Sequence, residues 1–538
     1  MKKHLLCGLA ILGSAALFAQ VSFTNQSGLI ENYPGVSSSI SVDMDGDGLD
    51  DYVRVSGAGI GIDYQQTNGT FNSIFYSMTI NNVPDWSVAA GDIDGNGYTD
   101  LVLGNGSRVS FVFANADGTA YTEQIHNEYI FSQRSNLVDI DNDGDLDAFV
   151  CHDVDESHPY RNDGNQNMVL DQNLIQTLDL AGNYASIWVD YDNDGDTDMY
   201  LTKCRQGSTP GDPERTNAMY RNNGDGTYTE VAASINLADN SQSWSTLWED
   251  LDNDGDFDAI TMNHDFENKF YENDGSGVFT DIIGSTGINP TDLGAWEIQG
   301  ADFNNDGYID VFSEMSKELY INNGDMTFTG IDLPFDEGAI GDFNNDGYLD
   351  VAFNGLLWMN DGGFNSYIKI VLEGVQSNPN GIGARIVISG DFGTQIREVR
   401  SGNGFSHMSS LTAHFGLGTS DGIDTIEIFW PSGIIDVIEN PTINSQHVFV
   451  EGENQLAVTD FEINGISLYP NPTTSKINFS LNGIEGTPVT VTDINGRTVL
   501  TTTISTNNNI NVEALTSGVY FVQMEVENKS VSYKFVKK

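Results

Sequence analysis

Positive charge is what this chain most lacks. Its 538 residues carry 22 Lys and Arg against 78 Asp and Glu, a formal net charge of −56. Nucleic-acid phosphate and anionic lipid repel such a surface, so neither is expected as a partner. Cysteine is nearly missing, with 3 residues, and Cys7 lies in the N-terminal segment treated below. That excludes the dense disulfide framework of small secreted scaffolds. Spacing alone leaves open whether Cys151 and Cys204 pair. Long apolar runs are missing too: the stretch Leu5–Phe18 is shorter than the about twenty residues a membrane helix needs, and no transmembrane segment is expected. Proline is scarce, at 13 residues against 57 glycines, which puts the turns on glycine. With 39% hydrophobic and 10% aromatic residues, the chain still has the composition of a folded protein.

The start of the chain reads Met1-Lys2-Lys3, then the apolar stretch, then Ala19-Gln20. A basic start, a short apolar run and a small residue at its end make a secretory signal peptide over 1–19.

The acid is periodic. The pattern D-x-[DN]-x-[DN]-G-x-x-D occurs seven times, at intervals of 40 to 60 residues. Its polar positions one, three, five and nine are Asp43, Asp45, Asp47 and Asp51 in the first copy, and Asp92, Asp94, Asn96 and Asp100 in the second. They are Asp139, Asp141, Asp143 and Asp147, then Asp190, Asp192, Asp194 and Asp198, then Asp250, Asp252, Asp254 and Asp258. The last two copies hold Asp302, Asn304, Asp306 and Asp310, and Asp342, Asn344, Asp346 and Asp350. Each loop has a short apolar segment on either side, and an Asn–Gly turn followed by an aromatic comes later, as in Tyr220–Gly224 leading to Tyr228. Short strands at a period near fifty residues give about four strands per repeat, and four-stranded units packed radially make a β-propeller. The expected fold is all-β, with a seven-bladed propeller over residues 20–365.

The loop side chains match the front of the EF-hand coordination scheme, with Gly at position six for the turn. All-oxygen donors favour Ca²⁺, up to seven structural ions. An acidic turn is the plainer reading of any single loop, but seven in phase are not explained that way. Carboxylates about 4 Å apart repel by roughly 4 kcal/mol at an effective dielectric near 20, so a cation is expected to close these loops.

The repeats resemble the FG-GAP/VCBS repeats of integrin-type propellers. In that family, calcium loops decorate one end and ligands tend to bind at the other. Residues 366–451 carry Asn380–Arg385, Arg400–Phe405, His414–Gly418 and Trp430–Gly433, and resemble the ASPIC/UnbV domain, a small β-domain that follows such repeats. After a linker at 452–465, residues 466–538 run from Ile466-Ser467-Leu468-Tyr469-Pro470-Asn471-Pro472 to Lys534–Lys538. They resemble the type A C-terminal sorting domain of type IX secretion in Bacteroidetes. That resemblance implies an Ig-like sandwich, recognition by the type IX machinery, and a protein secreted or displayed on the outer cell surface.

Candidate chemistry outside the loops is thin. Trp86, Trp188, Trp248 and Trp296 stand six or two positions before their loops. They suit core packing between blades first, and a ring of stacking surfaces second. His152-Asp153 and His264-Asp265 read as polar loop tips before they read as catalytic pairs. Arg385, Arg400 and His414 read as strand caps. The expected function is a calcium-stabilised binding or adhesion module for an extracellular protein or polysaccharide, without catalytic residues. The alternative is a secreted carbohydrate-active enzyme, a polysaccharide lyase or hydrolase, on the same scaffold.

Overall fold

Turns rich in Gly, Asn and Asp return each short strand beside its predecessor, and the chain builds antiparallel sheets almost throughout. The computed structural model describes residues 21–538 except 36–37, 165, 176–179, 276, 292–295, 315, 403, 455–467, 481–485, 494–496, 517 and 527–528. The expected signal peptide and most of the expected linker lie outside the described residues.

Two compact units divide near residue 455. Between Phe23 and Asn360 the first holds seven four-stranded antiparallel sheets. Their first strands are Ile40–Val42, Val88–Gly91, Ser132–Val138, Asn183–Val189, Ser243–Glu249, Ile298–Ala301 and Ala339–Gly341. From the first sheet to the sixth, first strands of neighbouring sheets pack side by side, and that of the first sheet also packs against that of the last, as in a propeller. Six sheets are built from consecutive strands, whereas the last takes N-terminal Phe23–Asn25 as its outer strand, paired with Leu356–Asn360. That exchange ties the two ends of the repeat array together. Apolar clusters fill the gaps between neighbouring sheets, as where Val42, Val53 and Ile62 meet Val88, Leu101 and Val112.

A smaller lobe follows, made of two sheets. Ser366–Glu373 pairs antiparallel with Ala413–Gly418 and parallel with Ser445–Val450. Arg385–Gly390 lies between Gly393–Glu398 and Thr425–Phe429, with Ile435–Glu439 at the edge. The small β-domain expected here is present. What the sequence did not announce is the course of the segment joining Glu398 to Ala413. It leaves the lobe and threads the axis of the ring of sheets. Ser401 bridges to Leu137 and Met408 to Ile40. The Ser41 amide donates to Met408 O at 2.8 Å, and the Met408 amide to Ser39 O at 3.0 Å. Arg134, fully buried, donates to the carbonyls of Phe405 and His407 at 3.1 Å each. Asn136 Nδ2 reaches Ser401 O and Gly402 O, and Arg400 reaches Trp248 O. The Glu297 carboxylate accepts the amides of Phe405 and Ser406. Buried backbone groups need hydrogen-bond partners, and these side chains supply them to the plug.

The second unit is two antiparallel sheets. Lys476–Phe479 is flanked by Leu468–Tyr469 and Asn509–Asn511, and Pro488–Asp493 by Thr498–Thr503 and Gly518–Val526, with Lys529–Lys537 outermost. Ile477, Phe479, Val491, Val522 and Phe535 form their shared core.

Gly402 has φ +90°, and a Cβ there would run into the Arg134 guanidinium. Gly402→Ala is expected to cost about 2 kcal/mol or more. Gly433, at φ +84° with nothing near its missing Cβ, is the control for backbone strain alone, expected to cost about 1 kcal/mol. Denaturant melts of the two variants check the difference; equal losses would remove the steric role of the plug.

Candidate functional site: acidic loops at one end, an aromatic mouth at the other

Each acidic loop follows a first strand, at the same end of every sheet. Position two is apolar and buried, as with Met44, Ile140 and Phe303, and pins the loop to the sheet. Position four takes the left-handed backbone, either as Gly46 and Gly95 or as Asn142, Asn193, Asn253, Asn305 and Asn345, with φ between 56 and 76°. These turns aim the amides inward. In the fourth loop, Asp190 accepts the Asp194 and Gly195 amides at 3.0 Å on its two oxygens. The position-nine Asp198 accepts Tyr191 N at 3.3 Å with one oxygen and Asn222 N, from the third strand, at 2.7 Å with the other. The same double contact recurs at Asp51, Asp100, Asp147, Asp258, Asp310 and Asp350.

Oxygens of Asp43, Asp45 and Asp51 lie within 4.8 Å of one another, as do those of Asp92, Asp94 and Asp100, of Asp139, Asp141 and Asp147, and of Asp190, Asp192 and Asp194. Burial pushes these acids up: Asp92, Asp139 and Asp190 to about 6, Asp100 and Asp147 to about 8, and Asp198 to about 9. Asp141 Oδ1 and Asp192 Oδ1 are buried with no hydrogen-bond partner. Oxygen donors converging with orphaned lone pairs fit a hard divalent cation. The sixth and seventh loops are arranged differently. Asn304 and Asn344 each donate Nδ2 to the position-five carboxylate at 2.9 Å. In the seventh loop, Lys369 of the lobe also places Nζ 2.7 Å from Asp342 Oδ2.

That lysine belongs to a broader contact. The lobe covers the loop end: Asp92 N donates to Asn380 Oδ1, Gln446 Nε2 donates to Gly48 O, and His414 Nε2 lies 3.0 Å from Gly347 O. Arg385 hydrogen-bonds Asn193 and donates to Gly255 O at 2.7 Å, while Arg400 pairs with Glu249 at 3.1 Å. Arg385, Arg400 and His414 thus dock the lobe and plug.

The opposite mouth is aromatic. Six residues before the first Asp of their loops stand Trp86, Tyr184, Trp244 and Trp296, where the first strand begins. Trp86 and Trp296 meet edge to face at 6.2 Å, Trp244 lies 5.7 Å from Trp296, and Tyr184 stacks on Trp244 at 5.9 Å. Phe405 of the plug lies 6.0 Å from Tyr184 and 6.4 Å from Trp244. His264 stacks on Trp244 at 5.0 Å, and Trp296 is 39% exposed. Trp188 and Trp248, two positions before their loops, are buried between sheets against Phe149 and Tyr200. The four tryptophans therefore do not form one ring. Position minus six lines the mouth and position minus two the core, a distinction that also identifies Tyr184 and Trp244.

Cys151 and Cys204 are both buried and free, and Trp244 Nε1 donates to Cys204 Sγ at 3.1 Å. Asp153 pairs with Arg205 and Asp265 with Arg215, at 3.2 and 2.8 Å. His152 is buried, and its Nδ1 accepts the amides of Phe131 and Val154. Burial, then the neighbouring His158, pushes its pKa down to about 4. A depressed histidine contributes stability above its unfolded value near 6.5 and loses it as pH falls towards 4. His152→Asn is therefore expected to lose less melting temperature than the parent between pH 7 and pH 5; equal losses would show that His152 does not titrate.

Comparison with known proteins places these parts. Residues 92–150 and 190–261 match the model for FG-GAP-like repeats, and residues 374–456 that for ASPIC and UnbV. Residues 467–538 match the secretion system C-terminal sorting domain. Human cartilage acidic protein 1 is 24% identical over 249 residues, covering 40% of this chain and 37% of that protein. Similar solved structures include an Agrocybe aegerita lectin described as recognising non-reducing terminal N-acetylglucosamine, with TM-score 0.39, 16% identity, and coverage of 55% of this chain and 79% of that one. The extracellular domain of a putative one-component system from B. thetaiotaomicron aligns with TM-score 0.38 and 9% identity, over 96% of this chain and 58% of that one. Bacillus licheniformis rhamnogalacturonan lyase aligns with TM-score 0.26 and 12% identity, over 78% and 92%. The chain thus carries FG-GAP-like repeats, an ASPIC and UnbV segment, and the sorting tail of an exported type IX secretion substrate.

Proposed function

We propose that the exported chain is a calcium-stabilised binding module, displayed on or shed from the cell surface, whose protein or polysaccharide ligand is taken at the aromatic mouth. One observation carries the reading. The loop end is covered by the lobe, whereas the other mouth gathers three indoles, with Trp296 39% exposed. Stacking faces on a rigid ring suit either a sugar ring or a peptide side chain.

The metal belongs to the scaffold. Asp43, Asp45, Asp47 and Asp51 and their counterparts would hold the ions, which supply positive charge to carboxylates gathered within 4.8 Å of one another. The sorting tail supports delivery to a compartment rich in Ca²⁺. At about 1 mM free Ca²⁺ and a dissociation constant of ~10⁻⁴ M, each site adds about 1.4 kcal/mol. EGTA is expected to lower the melting temperature and excess Ca²⁺ to restore it, with Asp198→Asn responding less. A melt indifferent to EGTA removes the calcium assignment.

For the binding role, the mature chain is screened on glycan and matrix-protein arrays beside Trp296→Ala. Retention that Trp296→Ala abolishes is the expected result. Retention unchanged in the variant, or none at all, overturns this placement of the site.

A further inference from the structure

The seventh acidic loop already has a cation in it. Lys369 reaches the loop from the lobe strand Ser366–Glu373, where it stands opposite His414 on one side and Gln446 on the other. Its Nζ lies 2.7 Å from Asp342 Oδ2 and 2.6 Å from Asn345 Oδ1. The side chains of Lys369 and Asp342 are 4% and 0% exposed. Held on a central strand and buried, this ammonium does not swing into water as a surface lysine does.

The oxygens that a metal would need are spent on the protein. Asp342 accepts the Asp346 amide at 3.0 Å with Oδ1 and the Gly347 amide at 2.8 Å with Oδ2. Asp346 accepts Tyr348 N with Oδ1 and Asn344 Nδ2 with Oδ2, both at 2.9 Å. Asn344 Oδ1 in turn accepts the Asp346 amide at 2.9 Å, which sets the orientation of its carboxamide. Position three therefore turns a donor towards the acid where an ion needs an acceptor. Other loops differ. In the third and fourth, Asp141 Oδ1 and Asp192 Oδ1 have no hydrogen-bond partner. Arg161 pairs with Asp141, but it is 35% exposed and shared with Asp171. Arg385 stands 3.8 Å from Asp190 and hydrogen-bonds Asn193 and Gly255 O instead. The sixth loop repeats the asparagine contact, but Gly416 rather than a lysine lies against its first aspartate. The buried Oδ1 atoms of Asn253 and Asn305, equivalent to the one that Lys369 holds on Asn345, have no partner.

We propose that the seventh loop binds no metal and that Lys369 takes the part of its ion, so the chain holds at most six calcium ions. The inference rests on the calcium reading above and narrows it. Affinity for Ca²⁺ in such loops follows the charge of the ligand set. Here Asp342, Asp346 and Asp350 face one buried ammonium, and an ion on Asp342 would stand across a single carboxylate from a like charge. The seventh sheet is also the one that takes Phe23–Asn25 as its outer strand and closes the ring. A tethered cation keeps that closure, and the docking of the lobe on it, independent of the calcium supply.

Equilibrium dialysis of the mature chain against labelled Ca²⁺, in about 0.15 M salt to screen the outer surface, counts the ions. At most six are expected. Asp346→Asn is expected to leave the count unchanged, whereas Asp194→Asn, at the same position of the fourth loop, lowers it by one. Lys369→Met is expected to raise the count by one, and adding Asp342→Asn to remove that gain. In EGTA, Lys369→Met is expected to melt below the parent, and excess Ca²⁺ to recover most of the difference. Seven ions on the parent, or one fewer in Asp346→Asn, overturns the inference and leaves the calcium scaffold standing. An unchanged count in folded Lys369→Met overturns the part given to the lysine. No ion on the parent overturns the calcium reading and this inference together. Should Lys369→Met fail to fold, the counts on the parent, Asp346→Asn and Asp194→Asn decide alone.

Discussion

The propeller depends on a carboxylate that binds in two directions at once. Each position-nine aspartate holds an amide of its own loop with one oxygen and an amide of the third strand with the other, as Asp350 does with Phe343 N and Asn360 N at 2.9 and 2.7 Å. The first three strands of a sheet are thereby fixed against one another at the loop end. The turn asparagine extends the tie outward: Asn360 Nδ2 donates to Phe303 O in the preceding loop at 2.8 Å, and Asn322 Nδ2 to Leu251 O at 2.7 Å. Sheets are stapled in series by these groups, and apolar packing fills the space between staples. The arrangement is expensive, since it buries a charge that neither amide fully offsets. A cation beside the pair would convert that cost into cross-linking, which is why the scaffold and the proposed metal are one question.

From that constraint follows the difference between the two ends. A ring of acidic loops exposes oxygens that need positive charge, and the lobe meets them with Lys369 on Asp342 and Arg385 near Asp190. The lobe also sends its chain down the axis, where small and polar side chains such as Ser41, Ala90 and Asn136 leave room for it. Once plugged, the axis is no passage. Its far mouth becomes a shallow floor, with Phe405 as one tile among the indoles.

Much of this was legible in the sequence. The nine-residue pattern fixed the loops, their spacing gave the repeat, and Gly at position six marked the turn. The aspartates assembled where the pattern put them, because local turn chemistry alone positions them. The plug was not legible. Arg400–Ser410 looks like a glycine-rich loop, and only the long-range geometry of an open axis tells where it goes. The mouth was half legible. Trp86 and Trp296 stand out in the sequence, but so do Trp188 and Trp248, an even number of residues before the same loop position. Parity decides which face a side chain takes, whereas distance along the strand decides which end it reaches, and it is position minus six that gathers Tyr184 and Trp244 with Trp86 and Trp296. Nor could any local pattern show that His152 is buried while His264 is exposed, because each follows an equivalent strand and differs only in what packs over it.

The excess of acid with which the sequence began now divides into three parts of different character. Twenty-five carboxylates belong to the loops, and the divalent ions proposed there would offset part of that charge. A smaller set, Glu297, Glu314 and Glu337, lies at the other end, around His407 and the buried Arg134. The remainder is scattered over the surface and keeps polyanions away. Of the second group only Glu337 reaches solvent, with its side chain 30% exposed, while Glu297 and Glu314 are buried. The mouth therefore offers shape more than charge, with Trp296 39% exposed against Trp86 and Trp244.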